Sequence, residues 1–240
     1  MTASDAPDWE RIEAERTPWG LGGLWYGVYP ALVTDVRDPD GQGRVKVSLP
    51  WAGDPRGAKY EAWARLATLM AGPGRGTWLI PDPGDEVLVA FEGGQPDRPC
   101  VLGALWNGTD KGPEAMDGAG TNARKVIKTR SGLVIALDDT SGTESVTIST
   151  PGGQTFALKD GPAAVEISDA SGNSVKVEAG GITVQASSLV TITAAQVKVS
   201  AGTVTVSAGM AKFSGVVQAD TVITNTIVAA TYTPGAGNIW

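Results

Sequence analysis

The second half of the chain is a ladder of alternating apolar pairs, and few folds can use one. The pairs run Leu133/Ile135/Leu137, Val146/Ile148, Phe156/Leu158, Val165/Ile167, Val175/Val177, Ile182/Val184, Val190/Ile192, Val197/Val199 and Val204/Val206. Their spacing is nine or ten residues at first and seven or eight from Ile182. Val199-Ser200-Ala201-Gly202 returns as Val206-Ser207-Ala208-Gly209, a seven-residue period. Apolar and polar residues in strict alternation mark a strand with one buried face. A short fixed repeat marks a solenoid or a fibre. Each unit offers about two inward side chains, too few for one chain to seal a core. A single-chain β-helix takes about 20 or more residues to go round its faces. The pattern therefore predicts three chains wound together, with the Val and Ile positions on a common axis. Roughly ten strands stacked at ~4.8 Å would give a rod on the order of 50 Å. From Gly181 to Ala219 the only charges are Lys198 and Lys212. Left alone, so β-branched a stretch is an aggregation hazard, and interchain pairing removes it. An ordinary β-sandwich would have longer strands and aromatics in its core. Between Trp106 and the last residue the only aromatics are Phe156, Phe213 and Tyr232.

The first half is a different kind of sequence. Seven of the eight tryptophans lie at or before Trp106, and only 12 charged residues lie beyond Arg130. Residues 1–24 read as an N-terminal arm, with a short charged stretch followed by Pro18, Gly20, Gly22 and Gly23. Residues 25–110 read as a small closed barrel of about five strands. The strands are expected at Tyr29–Val36, Arg44–Leu49, Ala62–Leu69, Glu86–Phe91 and Cys100–Trp106. Asp38-Pro39-Asp40-Gly41 and Asp82-Pro83-Gly84-Asp85 are turns between them, and Gly72–Gly76 is a loop. Residues 111–130 form a linker and the start of the shaft, 131–231 the shaft, and 232–240 a tip segment.

Absences exclude most catalytic classes. The 240 residues contain no histidine and one cysteine, Cys100. Ser-His-Asp and Cys-His catalysis and His-ligated zinc or iron are thereby ruled out within the chain. So is an intrachain disulfide framework. Cys100 lies in the apolar run Pro99–Leu102 and reads as a buried small hydrophobe. The formal charge of −7 disfavours a phosphate backbone as partner. No signal peptide is visible, and Ala179–Val197, though uncharged, alternates as strand rather than membrane helix.

The residues also resemble a known family. Val36–Val47 followed by Leu49-Pro50-Trp51, Ala64-Arg65 leading to Gly72–Gly76, and Ile80–Pro99 ending in Val101–Asn107 resemble the oligomer-binding-fold domain of contractile-tail spike proteins. Lys125–Gly132 and Asp138-Asp139-Thr140 resemble the start of the β-helix in those proteins. That family includes phage baseplate protein V, the tail-lysozyme spike, and the spikes of type VI secretion and extracellular injection systems. The resemblance implies an all-β homotrimer: an N-terminal oligomer-binding-fold barrel, then a C-terminal intertwined triple-stranded β-helix. It implies a structural, non-enzymatic spike that docks on a baseplate hub protein and pierces the target envelope, contacting the target membrane transiently. It implies assembly in the bacterial cytoplasm into a phage virion or injection particle. The large hub-like domains of type VI spikes are missing, so the short form, with a separate hub, is expected. The His-x-His iron tip of some short phage spikes cannot form, and no cofactor or metal is expected.

Other motifs have plainer readings. Asp38-x-Asp40-Gly41 lacks the further carboxylates of a calcium loop, since the twelfth position is Leu49. Gly72-x-Gly74-x-Gly76 is not a phosphate-binding fingerprint. Asp138, Asp139, Glu166 and Glu178 occupy polar or turn slots and read as a solvated face rather than a glycosidase pair. A polysaccharide-binding or -degrading phage tailspike is the alternative enzyme-class reading. It would need a longer coil and an acidic cleft with aromatic platforms. At the C-terminus, Tyr232, Pro234, Asn238, Ile239 and Trp240 break the repeat. They read as a cap or as the docking surface for a PAAR-type tip protein, an apolar anchor of the kind interfaces use.

Overall fold

The structure is a computed structural model that describes residues 23–53 and 59–231. The chain divides after Ser188 into two units. The first contains a barrel and a seven-stranded sheet.

The barrel strands are β1 (Val28–Asp35), β2 (Val45–Gly53), β3 (Lys59–Leu66), β6 (Glu86–Phe91) and β7 (Pro99–Ala104). Two short strands, β4 (Ala71–Gly72) and β5 (Arg75–Gly76), form a hairpin between β3 and β6. The barrel closes in the order β1-β2-β3-β7-β6. Every pair is antiparallel except β3–β7, where Arg65 and Leu66 run beside Cys100 and Val101. A five-stranded Greek-key barrel of this kind is the oligomer-binding fold.

Alternation decides what fills the barrel. Val33, Val45, Val47, Leu49, Val87 and Val89 are almost fully buried, and the residues between them are more exposed, apart from Ser48, which is buried as well. Trp25, Tyr29, Tyr60 and Phe91 form an aromatic cluster. Trp25 lies 4.9 Å from Phe91, edge to face, and 5.0 Å from Tyr60 between ring centroids. Such contacts add about 0.5–1.5 kcal/mol beyond burial. The Tyr60 hydroxyl donates to the Pro96 carbonyl. Burial, and then the charge of Asp97, push its phenol up to about 12. Cys100 differs from expectation. Val101 takes the interior position, so Cys100 is half-buried on the opposite side of the strand.

The sheet strands are β8 (Arg124–Lys128), β9 (Val134–Asp138), β10 (Ser145–Ser149), β11 (Thr155–Asp160), β12 (Ala163–Ser168), β13 (Ser174–Glu178) and β14 (Gly181–Gln185). They pair in chain order, each antiparallel to the next. The first strand falls inside the stretch read as linker and start of the shaft. Here the structure departs from a shaft wound entirely between chains. Where the repeat is nine or ten residues, a strand of five or six leaves a turn of two to six, and one chain folds back on itself as a meander.

Beyond Gln185 the described residues contain no strand, and every residue from 187 to 231 is exposed. The pairs Val190/Ile192, Val197/Val199 and Val204/Val206 were expected as short strands. A strand requires a hydrogen-bonding neighbour, and among the described residues none of these pairs has one within the chain. Among the described residues no helix is long and apolar enough to cross a membrane.

Candidate functional site

The most distinctive surface of the first unit is one face of the seven-stranded sheet. Register places Ile127, Ile135, Ile148, Phe156, Ile167, Val175 and Val184 side by side across seven strands. A second row, two residues away on the same face, is Leu137, Val146, Leu158, Val165, Val177 and Ile182. In the single chain most of these side chains are 38–53% exposed, rising to 72% at Ile182. An apolar face this continuous marks an interaction surface. Burying what remains exposed is worth on the order of 1 kcal/mol per side chain.

The opposite face mixes charged residues with small ones, and its Ala136 and Ala157 are buried within the chain. Ala136, Thr147, Ala157, Glu166, Lys176 and Thr183 form its central row. Charges pair across and along strands: Lys159 Nζ lies 2.5 Å from Glu166 Oε2 on the next strand, and Lys176 Nζ lies 2.6 Å from Glu178 Oε2 on its own strand and 3.9 Å from Glu166 Oε1 on the neighbouring one. The Lys159 hydrogen bond holds the Glu166 carboxyl below its usual range. Asp138 pairs with Arg124 at 3.4 Å and also caps Thr140. The carboxylates singled out as a conceivable catalytic pair are thus in ion pairs; those of Asp138, Asp139 and Glu166 cross between strands and favour sheet pairing, and that of Glu178 lies along its own strand. Among the described residues no group of three or more His, Cys, Asp or Glu side chains could hold a metal ion.

The turns along one edge of the meander share a chemistry that the sequence reading missed. Thr129, Thr150 and Asp169 each open a turn whose fourth residue is Gly132, Gly153 or Gly172, all at positive φ. In each, the opening side chain accepts the amide of the fifth residue: Leu133 at 3.1 Å, Gln154 at 3.3 Å and Asn173 at 2.9 Å. The signal was legible as Thr/Asp-x-x-Gly at 129, 150 and 169. The last link of the meander is Asn173, whose Oδ1 accepts the Ser187 amide at 2.9 Å.

On the barrel, the Asp38–Arg44 turn is closed from within. Asp38 accepts the amides of Asp40, Gln42 and Arg44 at 2.8–3.1 Å, and the Arg44 guanidinium lies 2.6 Å from it. The Asp38 side chain is only 5% exposed. Arg44 stands where a calcium loop would place its cation. The Gly72–Gly76 loop is the tip of the β4–β5 hairpin, turned by Gly74 at φ +64°. The tip residues proposed from sequence, Tyr232, Pro234, Asn238, Ile239 and Trp240, lie outside the described residues.

Comparison with known proteins matches both halves. Residues 29–106 match the type VI secretion system/phage-baseplate injector OB domain. Residues 145–211 match the phage baseplate V C-terminal trimerisation domain. That second match spans the meander from β10 onward and runs past Ser188 into the unpaired repeat. The type VI secretion system spike protein VgrG3 of Vibrio cholerae is 31% identical over 146 residues, 56% of this chain and 14% of that protein. VgrG1a of Pseudomonas aeruginosa, also a type VI spike protein, is 30% identical over 116 residues, 45% of this chain and 18% of its own length. The actin cross-linking toxin VgrG1 of Vibrio cholerae is 28% identical over 126 residues, 48% of this chain and 12% of that protein. The chain therefore spans less than a fifth of the length of these relatives.

Proposed function

We propose that this chain, an injector OB domain joined to a baseplate V trimerisation domain, is the structural central spike of a contractile tail or injection particle. The observation that carries the reading is the apolar sheet face, whose two rows continue in sequence through the unpaired repeat after Ser188. Three copies would bury that face on a common axis. Between Leu189 and Val206 the apolar pairs would find strand neighbours on other chains, giving the intertwined β-helix. The meander would then pair within each chain and the repeat after Ser188 between chains. The rod's role is mechanical: a dense aliphatic axis resists bending, and few charges project to catch on an envelope.

The barrel domains would sit on a separate hub protein, and the segment containing Tyr232, Pro234, Asn238, Ile239 and Trp240 would cap the rod or hold a PAAR-type tip protein. Assembly would take place in the bacterial cytoplasm before incorporation into the particle. We propose no catalytic role. The toxin among the relatives is matched over about an eighth of its length, and Asp138, Glu166 and Glu178 are committed to lysine and arginine partners.

Light scattering on the purified chain tests the reading. A species near three times 24.7 kDa that survives unheated SDS is expected. A well-behaved monomer would remove the trimeric spike and leave only a barrel with an unexplained sheet.

A further inference from the structure

The barrel carries an apolar cluster that its own core does not use. Leu69 is 97% exposed, Leu79 67% and Met70 54%, all on the β4–β5 hairpin or the segments leading into and out of it. Trp78, beside them, lies across Gly43, so the segment is anchored against the Asp38–Arg44 turn. Large aliphatic side chains left this bare are an interface signal rather than noise.

Their surroundings indicate which interface. Leu79 and Ile80 also line a cleft of about 1010 Å³ between the barrel and the first sheet strand, together with Ile127. Ile127 is the first member of the apolar row that crosses the sheet. Leu79 and Ile80 therefore border the same cleft as the first member of the apolar row, whose strands from β10 onward match a trimerisation domain. Residues beside a three-fold axis meet their own copies, as the sheet rows would.

We propose that Leu79 and Ile80, with Leu69 and Met70 beside them, form a second trimer contact at the level of the barrels. Each copy packs this cluster against the same cluster of its two neighbours. The inference rests on the trimeric reading above and adds to it: the barrels are fastened to one another as well as hung from the shaft. The hub protein is then left to other faces of the barrel.

The test uses the full chain with Cys100→Ser as background and Leu79→Cys as probe, treated with a short bismaleimide and analysed after boiling. Covalent dimers in most of the reacted protein are expected, since one cysteine per chain links two of three copies. Glu61→Cys, on the outside of β3, should give no more than trace dimer. Efficient labelling of Leu79→Cys by a monofunctional maleimide without dimer formation, in protein that is trimeric by light scattering, would overturn the proposal. So would cross-links formed only to hub protein when hub is added. A chain that is monomeric by light scattering would instead overturn the trimeric reading itself, so the two failures are distinguishable. The double variant Met70→Ser/Leu79→Ser provides a second readout. It should remain trimeric through the shaft while its barrel unfolds at a lower denaturant concentration. An unchanged midpoint would count against the contact.

Discussion

Asp38 organises more chain than any other carboxylate in the barrel. One side chain takes three backbone amides and a guanidinium, and the hydrogen bond from Arg44 holds its carboxyl well below the ordinary range. Asp35 is held down likewise by Arg37. Both are depressed relative to an unfolded value of about 4, so their stabilisation is complete above about pH 4 and is lost as pH falls toward the folded values. With no histidine in the sequence, denaturant midpoints should be level between about pH 5 and 7 and fall below about 4. Midpoints measured at pH 3, 5 and 7 check this, and a midpoint that rises on acidification would contradict it. Two glycines make sharper predictions. Gly43 has φ +73°, and an added Cβ would lie 2.9 Å from Trp78. Gly43→Ala should cost about 1–2 kcal/mol from the left-handed backbone alone, read from urea unfolding followed by tryptophan fluorescence. At Gly161 a Cβ would fall 1.8 Å from the Gly142 carbonyl oxygen. Gly161→Ala must move backbone, and roughly 1–3 kcal/mol of destabilisation is expected.

At the scale of the element, the meander is a sheet with two incompatible faces, and substitutions should respect that division. Val165 lies in the middle of one apolar row, between Leu158 and Val177. Val165→Asp would place three carboxylates on the common axis, each costing several kcal/mol to desolvate. Loss of the trimer by light scattering is expected. Thr183 lies on the other face, opposite Lys176 and on the last strand of the sheet. Thr183→Asp, which offers Lys176 a further carboxylate, should leave the trimer intact. Equal behaviour of the two variants would mean the faces are misassigned. The turns explain why the meander holds its register. A one-residue slip would move every aliphatic side chain to the charged face, and the repeated Thr/Asp-x-x-Gly turns fix where each strand begins.

For the whole molecule, the chain after Ser188 is the part that the proposed trimer would complete. Its described residues carry Val190, Ile192, Val197, Val199, Val204 and Val206 at 55–74% exposure, with no strand among them. In the assembled protein their amides should exchange slowly with deuterium, because pairing with other chains would satisfy them. Fast exchange at 189–206 in a protein shown to be trimeric would confine the trimer contact to the meander. Protection lost in one step with the trimer during denaturation would show that the intertwined segment and the oligomer are a single cooperative unit.

Sequence periodicity determined which faces are apolar, because a strand's side chains alternate whatever its neighbour is. It thereby located the barrel strands at Val28–Asp35 and Glu86–Phe91 and the two aliphatic rows of the sheet to within a residue or so. It also carried the family resemblance, since turn residues such as Asp38, Gly41 and Gly84 are set by local backbone geometry. Periodicity could not say which chain each strand pairs with. That depends on what lies beside each strand once the chain has folded. Tertiary structure decided that β8 to β14 pair within the chain while the repeat beyond Gln185 does not. It also decided that Arg44 fills the Asp38 turn, that Cys100 faces away from the core, and that Leu79 and Ile127 share one cleft. Each of these joins residues distant in sequence or sets two strands side by side, and no local rule along the chain encodes such a meeting.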